Sequence, residues 1–119
     1  MAVPHSRLFP KAAVIVQQCG IGTLGQALAA GCPILAVPFA HDQPDNAYRI
    51  EKLGVARVVY PPQYRAQRVA QELRRLLEPA EYGRRAAKEV AAKVRPEDGA
   101  ATACDAIEEQ LLASPAMRR

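Results

Sequence analysis

The feature that most constrains the fold is the segment Val14–Gly31, which reads VIVQQCGIGTLGQALAAG. The β-branched run from Lys11 to Val16 predicts a strand that is covered on both faces. The glycines that follow predict a tight turn, and the next residues predict a helix from Gly22 to Ala30 with Gly31 as its C-terminal cap. Such a turn lets a phosphate approach the backbone, where the free N–H groups and the positive end of the helix dipole attract an anion. The segment therefore predicts a phosphate site; the alternative is that the glycines only allow the helix to pack tightly on its strand.

Two more strand patterns follow with short connections. Pro33–Phe39 is an apolar run, and Val55–Tyr60 is a β-branched run that ends at two prolines. Between them, Asp42 is placed to cap a helix that runs to about Leu53 and stops at Gly54. Strands that alternate with helices in this way form a parallel sheet with right-handed crossovers.

Helical patterns replace the strands after Tyr60. Three apolar stripes are expected to pack into the core, separated by Pro79 and by a turn at Pro96–Gly99. Their members are Val69, Leu73, Leu76 and Leu77 in the first stripe, Tyr82, Ala86, Val90 and Val94 in the second, and Ala101, Cys104, Ile107, Leu111 and Leu112 in the third. The predicted fold class is α/β: half of a doubly wound Rossmann-like domain, with about three parallel strands, flanking helices and a C-terminal helical segment. We expect this partial domain to cover residues 1–113 and residues 114–119 to form a disordered tail.

Length, composition and charge argue against several classes of protein. A chain of 119 residues, half of them apolar, is one domain at most. We expect no membrane span and no secretory signal, because no apolar run is long enough and the start lacks the signal pattern. The net charge of +4 is spread along the chain without interleaved aromatic residues, which argues against nucleic-acid binding.

The number and spacing of the cysteines bear on metal binding and on the redox state of the compartment. Cys19, Cys32 and Cys104 are too far apart for metal ligation and odd in number, so we expect no metal site, reduced thiols and a cytoplasmic location. Cys19 is expected to be a small buried thiol, and Cys104 is expected to belong to the core.

The spacing Gly20-x-Gly22-x-x-Gly25 also matches a dinucleotide fingerprint. A strand precedes it, a helix follows, and Asp42 ends the next strand near the separation of about 20 residues expected for a ribose-binding carboxylate. On these residues alone, an NAD-binding oxidoreductase fragment is an open interpretation.

Several short blocks, read together, favour a different nucleotide. They are Val3-Pro4-His5 with Leu8-Phe9-Pro10, Val14-Ile15-Val16, Cys19-Gly20-Ile21-Gly22-Thr23, Ala29-Ala30-Gly31-Cys32-Pro33, Val37-Pro38-Phe39 and Asp42-Gln43-Pro44. In this order they resemble the donor-binding half of UDP-sugar glycosyltransferases, the GT-B enzymes of the bacterial antibiotic, macrolide and sterol type. The resemblance runs from about Val3 to Ala56 and fits the later helices more loosely. It implies a UDP- or dTDP-sugar binding part of an enzyme that transfers a hexose to a small lipophilic acceptor.

The resemblance assigns roles around the nucleoside and the sugar. Val3 would offer backbone hydrogen bonds to the base, and His5 would lie near the nucleoside. Gln26 occupies the position whose side chain reaches the ribose. Asp42 and Gln43 match the pair that binds the sugar hydroxyls of the donor.

The resemblance places the diphosphate on the glycine turn, held by the N–H groups of Gly20, Ile21, Gly22 and Thr23 and by the Thr23 hydroxyl. The family usually has His-His-Gly-Gly here, or Thr-His-Cys-Gly in plants, whereas this chain has Gln17-Gln18-Cys19-Gly20. Gln18 falls where the second histidine contacts a donor phosphate. Its amide can donate a hydrogen bond but cannot become cationic. We therefore expect weaker donor binding or slower transfer than in a histidine version.

The resemblance also implies which parts of the enzyme lie elsewhere. The family's acceptor pocket and catalytic histidine belong to an N-terminal domain, so no catalytic residue is assigned here and the chain alone is expected to be inactive. The family's scheme requires no cofactor and no metal. Without the opening strands of a donor domain, the Lys11–Val16 strand has a bare edge, which predicts a homo-oligomer or a partner chain. A truncation, a split subunit and a non-catalytic nucleotide-binding module remain alternatives.

Overall fold

The sheet is parallel, as predicted. The computed structural model describes residues 2–78 and 80–117, so Pro79, the predicted helix separator, lies outside the described residues. Within them the strands are β1 (Ile15–Gln17), β2 (Ile34–Ala36) and β3 (Ala56–Val58), in the spatial order β1-β2-β3. Ile15 pairs with Ile34 and Ile34 with Ala56, so the carboxyl ends of the strands lie together at one edge of the sheet.

Helices connect and follow the strands. They are α1 (His5–Leu8), α2 (Ile21–Ala30), α3 (Gln43–Lys52), α4 (Ala66–Leu77), α5 (Ala80–Arg84), α6 (Ala91–Val94) and α7 (Gly99–Ala113). A π-helical turn at Arg85–Val90 joins α5 to α6, and 3₁₀ turns lie at Phe9–Lys11, Pro61–Gln63 and Pro115–Met117. None of the helices in the described ranges is long and apolar enough to cross a membrane.

The ends of α2 and α3 show which capping predictions hold. Gly31 ends α2 in the left-handed conformation with φ 72°, as predicted, and Arg95 Nε donates to the Ala29 carbonyl at 2.7 Å. A cation at this end satisfies a carbonyl and complements the helix dipole. The predicted side-chain cap of α3 is wrong, because the Asp42 carboxylate makes no capping hydrogen bond and Asp42 itself has helical φ and ψ angles.

Apolar residues fill both faces of the sheet. On one face, Ile15 and Ile34 pack with Leu24 of α2 and Ile50 of α3, and Val90 closes this cluster from the C-terminal helices. On the other face, the buried residues Leu35, Val59 and Leu76 pack together, with Val14, Val69, Leu73 and Tyr82 half-buried around them. The first two predicted stripes therefore contribute to the core, apart from Leu77, which is exposed.

A buried carboxylate attaches α4 to the sheet. The Glu72 side chain is 1% exposed and accepts a hydrogen bond from Arg57 of β3. Arg68 and Arg75, on the same helix as Glu72, lie 3.3 and 3.2 Å from its other oxygen. The Arg57 guanidinium also contacts the Tyr82 hydroxyl at 3.3 Å, so one charge cluster joins β3, α4 and α5.

The third predicted stripe is not part of the core. Every residue of α7 is exposed, including Cys104, so the expectation that Cys104 is buried is wrong. The apolar spacing of the helix was read correctly, but α7 extends beyond the sheet instead of packing on it, and the molecule measures 66 × 34 × 29 Å. Ile107 is 59% exposed, so the stripe presents apolar surface outward.

Candidate functional site

The site lies at the carboxyl edge of the sheet, where the β1–α2 and β2–α3 connections meet. In the first connection, Cys19 has φ 70° and is fully buried. Burial raises the pKa of its thiol to about 11, so Cys19 stays protonated near neutral pH. The prediction of a small buried thiol is confirmed. A non-glycine residue in the left-handed region is uncommon and often marks a functional turn.

The N-terminus of α2 has neither a capping side chain nor an acidic residue in its first turn to offset the helix dipole. Gly20 is its N-cap residue and supplies no capping side chain, and the first turn contains no acidic residue. The first N–H groups of a helix have no partner within the helix. These groups belong to Ile21, Gly22 and Thr23, three of the four residues predicted to hold the diphosphate.

The glycines are not used for close packing. Apart from the adjacent residues and the backbone of α2 itself, a Cβ atom added at Gly20, Gly22 or Gly25 would meet no heavy atom within 4 Å. The interpretation that these glycines serve tight helix-on-strand packing is therefore wrong. The same finding argues against the NAD-binding interpretation. The third glycine of the dinucleotide fingerprint, here Gly25, normally allows the helix to pack closely on the strand.

Two glutamines precede the turn in different environments. Gln18 is exposed at the site, where a ligand can reach it. Gln17 is 8% exposed, and neither its Oε1 nor its Nε2 has a hydrogen-bond partner among the described residues. A buried amide without partners is costly, so the end of β1 holds an unmet polar group beside the turn.

The second connection presents Asp42. His41, just before it, has φ 60°, so a left-handed non-glycine residue marks this loop as well. The Asp42 Oδ2 accepts a hydrogen bond from Asn46 Nδ2 at 3.0 Å, and no residue in the described part of the chain donates a hydrogen bond to its Oδ1. The carboxylate is therefore oriented from one side and open on the other.

Gln43 is fixed by the backbone before it. Its Oε1 accepts hydrogen bonds from the N–H groups of Phe39 and Ala40, at 2.8 and 3.2 Å. Its Nε2 has no acceptor within residues 2–78 and 80–117. Asp42 can thus offer an acceptor and Gln43 a donor from neighbouring positions.

The residues assigned to the nucleoside lie before α1, in α1 and in α2. Val3 is exposed in the extended segment before α1, and His5 stacks on Phe9 with ring centroids 4.5 Å apart. Gln26 lines a cavity of about 160 Å³ together with Ser6, Pro10, Ala29 and Ala30. The structure relates these assigned positions to one another through the packing of α1 on α2.

Sequence reasoning missed Asn46. Its side chain donates to the Cys19 carbonyl at 2.9 Å as well as to Asp42, and so joins the two connections. The i, i+4 spacing of Asp42 and Asn46 was a usable signal for one of these bonds. The bond to Cys19, 27 positions away, was not readable from the sequence.

Across the described residues, no three His, Cys, Asp or Glu side chains lie close enough together to hold a metal.

Comparisons with known proteins agree with the predicted resemblance. Residues 1–113 match the family model described as erythromycin biosynthesis protein CIII-like, C-terminal domain. A sterol 3-beta-glucosyltransferase of Arabidopsis thaliana is 34% identical over 109 residues, which are 91% of this chain and 17% of that protein.

Solved structures confirm the predicted fold class. The glycosyltransferase of kitacinnamycin has a TM-score of 0.80 and 28% identity, over 92% of this chain and 28% of that one. Glycosyltransferase VinC in complex with dTDP has a TM-score of 0.73 and 32% identity, over 79% of this chain and 24% of that one. This chain thus spans less than a third of the length of each of these proteins.

Proposed function

Because the chain belongs to the family of erythromycin biosynthesis protein CIII-like C-terminal domains, we propose that it is the part of a glycosyltransferase that binds a nucleotide-diphospho-sugar. The proposal rests on one observation: Asn46 donates both to the Asp42 carboxylate and to the carbonyl of Cys19, which immediately precedes the uncapped N-terminus of α2. A cationic helix end next to a hydroxyl-binding carboxylate matches a ligand that is anionic at one end and polyhydroxylated at the other.

The glycine turn is proposed to hold the diphosphate. The N–H groups of Gly20, Ile21, Gly22 and Thr23, with the Thr23 hydroxyl, would donate to its oxygens, and Gln18 would add a neutral amide. The diphosphate gains charge as the glycosidic bond breaks. Fixed N–H donors therefore stabilise the transition state more than the ground state.

Asp42 and Gln43 are proposed to bind the sugar. The open Oδ1 of Asp42 accepts from a hydroxyl, and the Nε2 of Gln43 donates to one. A site that pairs one acceptor with one donor discriminates between hydroxyl orientations, because a sugar with the wrong orientation leaves a polar group unpaired.

The nucleoside is proposed to lie along α1 and α2. The Val3 backbone and His5 would contact the base and nucleoside, and Gln26 would reach the ribose. VinC is described in complex with dTDP, which supports a diphosphate nucleotide of the UDP or dTDP type. No metal or cofactor is needed for this binding.

We also propose an acceptor class and a complete reaction, both of which depend on the donor-binding proposal. The sterol 3-beta-glucosyltransferase supports a small lipophilic acceptor for a hexose. The acceptor would bind to a separate N-terminal domain, so we expect no transfer by this chain alone. The free thiols of Cys19, Cys32 and Cys104 support a reducing, cytoplasmic setting.

A non-catalytic nucleotide-binding module is the second candidate, and Gln18 favours it. The resemblance implies a histidine at position 18, which can become cationic, whereas the Gln18 amide stays neutral. A neutral side chain there fits nucleotide binding without efficient transfer. Restoring an acceptor domain separates the two candidates, because only the enzyme then transfers sugar.

The experiment is calorimetric titration of the chain with dTDP, UDP and NAD. We expect dTDP or UDP to bind and NAD to compete poorly. Gly22→Ala should keep the fold, since the added Cβ meets no heavy atom within 4 Å beyond the adjacent residues and the α2 backbone, but should weaken nucleotide binding by about tenfold because the methyl group occupies the phosphate approach. Gly25→Ala, one turn further along α2, is the matched control and should bind as the unmodified chain does. Equal affinity of all three forms, or preferential binding of NAD, would overturn the proposal.

A further inference from the structure

Asn46 uses its whole donating capacity to hold the two site connections together. The Asn46 Nδ2 carries two hydrogens and contacts two acceptors, the Cys19 carbonyl at 2.9 Å and the Asp42 Oδ2 at 3.0 Å. The Asn46 backbone N–H also donates to the Asp42 carbonyl at 3.0 Å. Asn46 is half-buried in the second turn of α3, behind both connections.

The contact with Cys19 sets the direction of an N–H group in the glycine turn. The Cys19 carbonyl and the Gly20 N–H belong to one planar trans peptide, so they point in opposite directions. With the carbonyl held by Asn46, the Gly20 N–H points away from α3. This N–H has no acceptor among residues that the structure describes, so it is presented to the site.

The same contact fixes an uncommon backbone conformation. Cys19 has φ 70°, a left-handed conformation that is unfavourable for a residue with a side chain. The bond from Asn46 to the Cys19 carbonyl supports that conformation from outside the turn. Without it, the peptide between Cys19 and Gly20 is able to rotate toward a more common geometry.

We infer that Asn46 is a positioning residue that couples the phosphate-binding turn to the sugar-binding carboxylate without touching the donor. The inference rests on the proposed function for the identity of the ligand. Whether the Asn46 amide orients the Gly20 N–H and the Asp42 carboxylate can be measured in the unliganded chain.

The test compares Asn46→Ala with the unmodified chain, using ¹H–¹⁵N spectra and titration with dTDP and a dTDP-hexose. Alanine removes both donors and favours the helix. We expect the Gly20 and Asp42 amide signals to shift in the unliganded variant, and dTDP affinity to fall by about tenfold. The dTDP-hexose should lose more affinity than dTDP, since the carboxylate is also released.

Asp45→Asn is the matched control. Asp45 neighbours Asn46 on the exposed side of α3, and among the described residues it forms an ion pair only with Arg49, at 2.9 Å. It should leave the turn signals and the nucleotide affinity unchanged. If Asn46→Ala fails to fold, Asn46→Leu removes the donors at similar volume and takes its place.

The outcomes separate the two proposals. Unshifted turn signals in folded Asn46→Ala overturn the positioning role, whether affinity is kept or lost; a loss would then mean direct donor contact. Shifted signals with unchanged affinity also overturn it. If the unmodified chain binds neither nucleotide, the proposed function fails, while the signal shifts in the unliganded variant still decide whether Asn46 orients the turn.

Discussion

At the scale of single residues, Gln18 occupies the position where the resemblance implies a histidine that contacts phosphate. Gln18→His should strengthen nucleotide binding by roughly fivefold to tenfold, because a charge-assisted hydrogen bond contributes about 1 kcal/mol more than a neutral one. The gain should grow as the pH falls through the usual histidine pKa of about 6.5. Titrations of dTDP at several pH values measure this, with Gln67→His on the exposed side of α4 as control. A flat response at position 18 would mean that it does not contact phosphate.

The three thiols should differ sharply in reactivity. Burial raises the pKa of Cys19 to about 11 and also raises that of Cys32, so both stay protonated at pH 8. Cys104 is exposed on α7. Ellman's reagent should therefore modify one thiol rapidly in the folded chain, and Cys104→Ser should remove that fast phase. Fast modification of two or more thiols would contradict the described burial.

The predictability of the site differs from residue to residue. The open glycines and the buried Cys19 thiol followed from local pattern, since a strand, a turn and a helix are consecutive in the sequence. The bond from Asn46 to Cys19 did not, because it depends on how two connections meet in space. Cys104 was misplaced because helical spacing shows which residues share a face, not whether anything covers that face.

At the scale of elements, the parallel sheet and the first two crossover helices could be predicted because hydrophobic periodicity and glycine stops mark them. The strands are shorter than predicted: β1 covers Ile15–Gln17, not Lys11–Val16. The residues before it form a 3₁₀ turn at Phe9–Lys11. The apolar runs around β2 and β3 continue beyond the paired residues because flanking residues such as Val37 and Val59 are buried too, so apolarity alone overstates strand length.

The attachment of α4 to the sheet is expected to depend on the Glu72 carboxylate. Glu72→Gln should lower the free energy of unfolding by about 2–3 kcal/mol, because it leaves the arginines around a buried position without a counter-charge. The loss should be smaller than for a fully buried pair, since the Arg57 side chain is 30% exposed. Urea denaturation measures the change, and Glu78→Gln at the exposed end of α4 is the control. Equal losses in the two variants would show that the cluster contributes little.

At the scale of the whole molecule, β1 is an edge strand in the described sheet. Ile15 N–H and Gln17 C=O bond toward β2, so the backbone groups of Val16 between them point away from the sheet. The Val16 side chain is 47% exposed. An unpaired apolar edge of this kind favours pairing with another chain.

We therefore expect the chain to self-associate at micromolar concentration, as measured by light scattering. Val16→Lys should shift it toward monomer, because a charge on an edge strand opposes pairing. Leu53→Lys, at a residue that is 49% exposed at the end of α3, should not. A stable monomer of the unmodified chain would count against an exposed edge.

We propose that the N-terminus of α2 binds the diphosphate of an activated sugar. The most direct measurement follows the amide signals of Gly20, Ile21, Gly22 and Thr23 while dTDP, UDP and their sugar conjugates are added. We predict saturable shifts at these four amides, joined by Asp42 when the sugar is present, and no comparable shifts with NAD. Signals that stay in place throughout, in a chain that remains folded, would contradict the account.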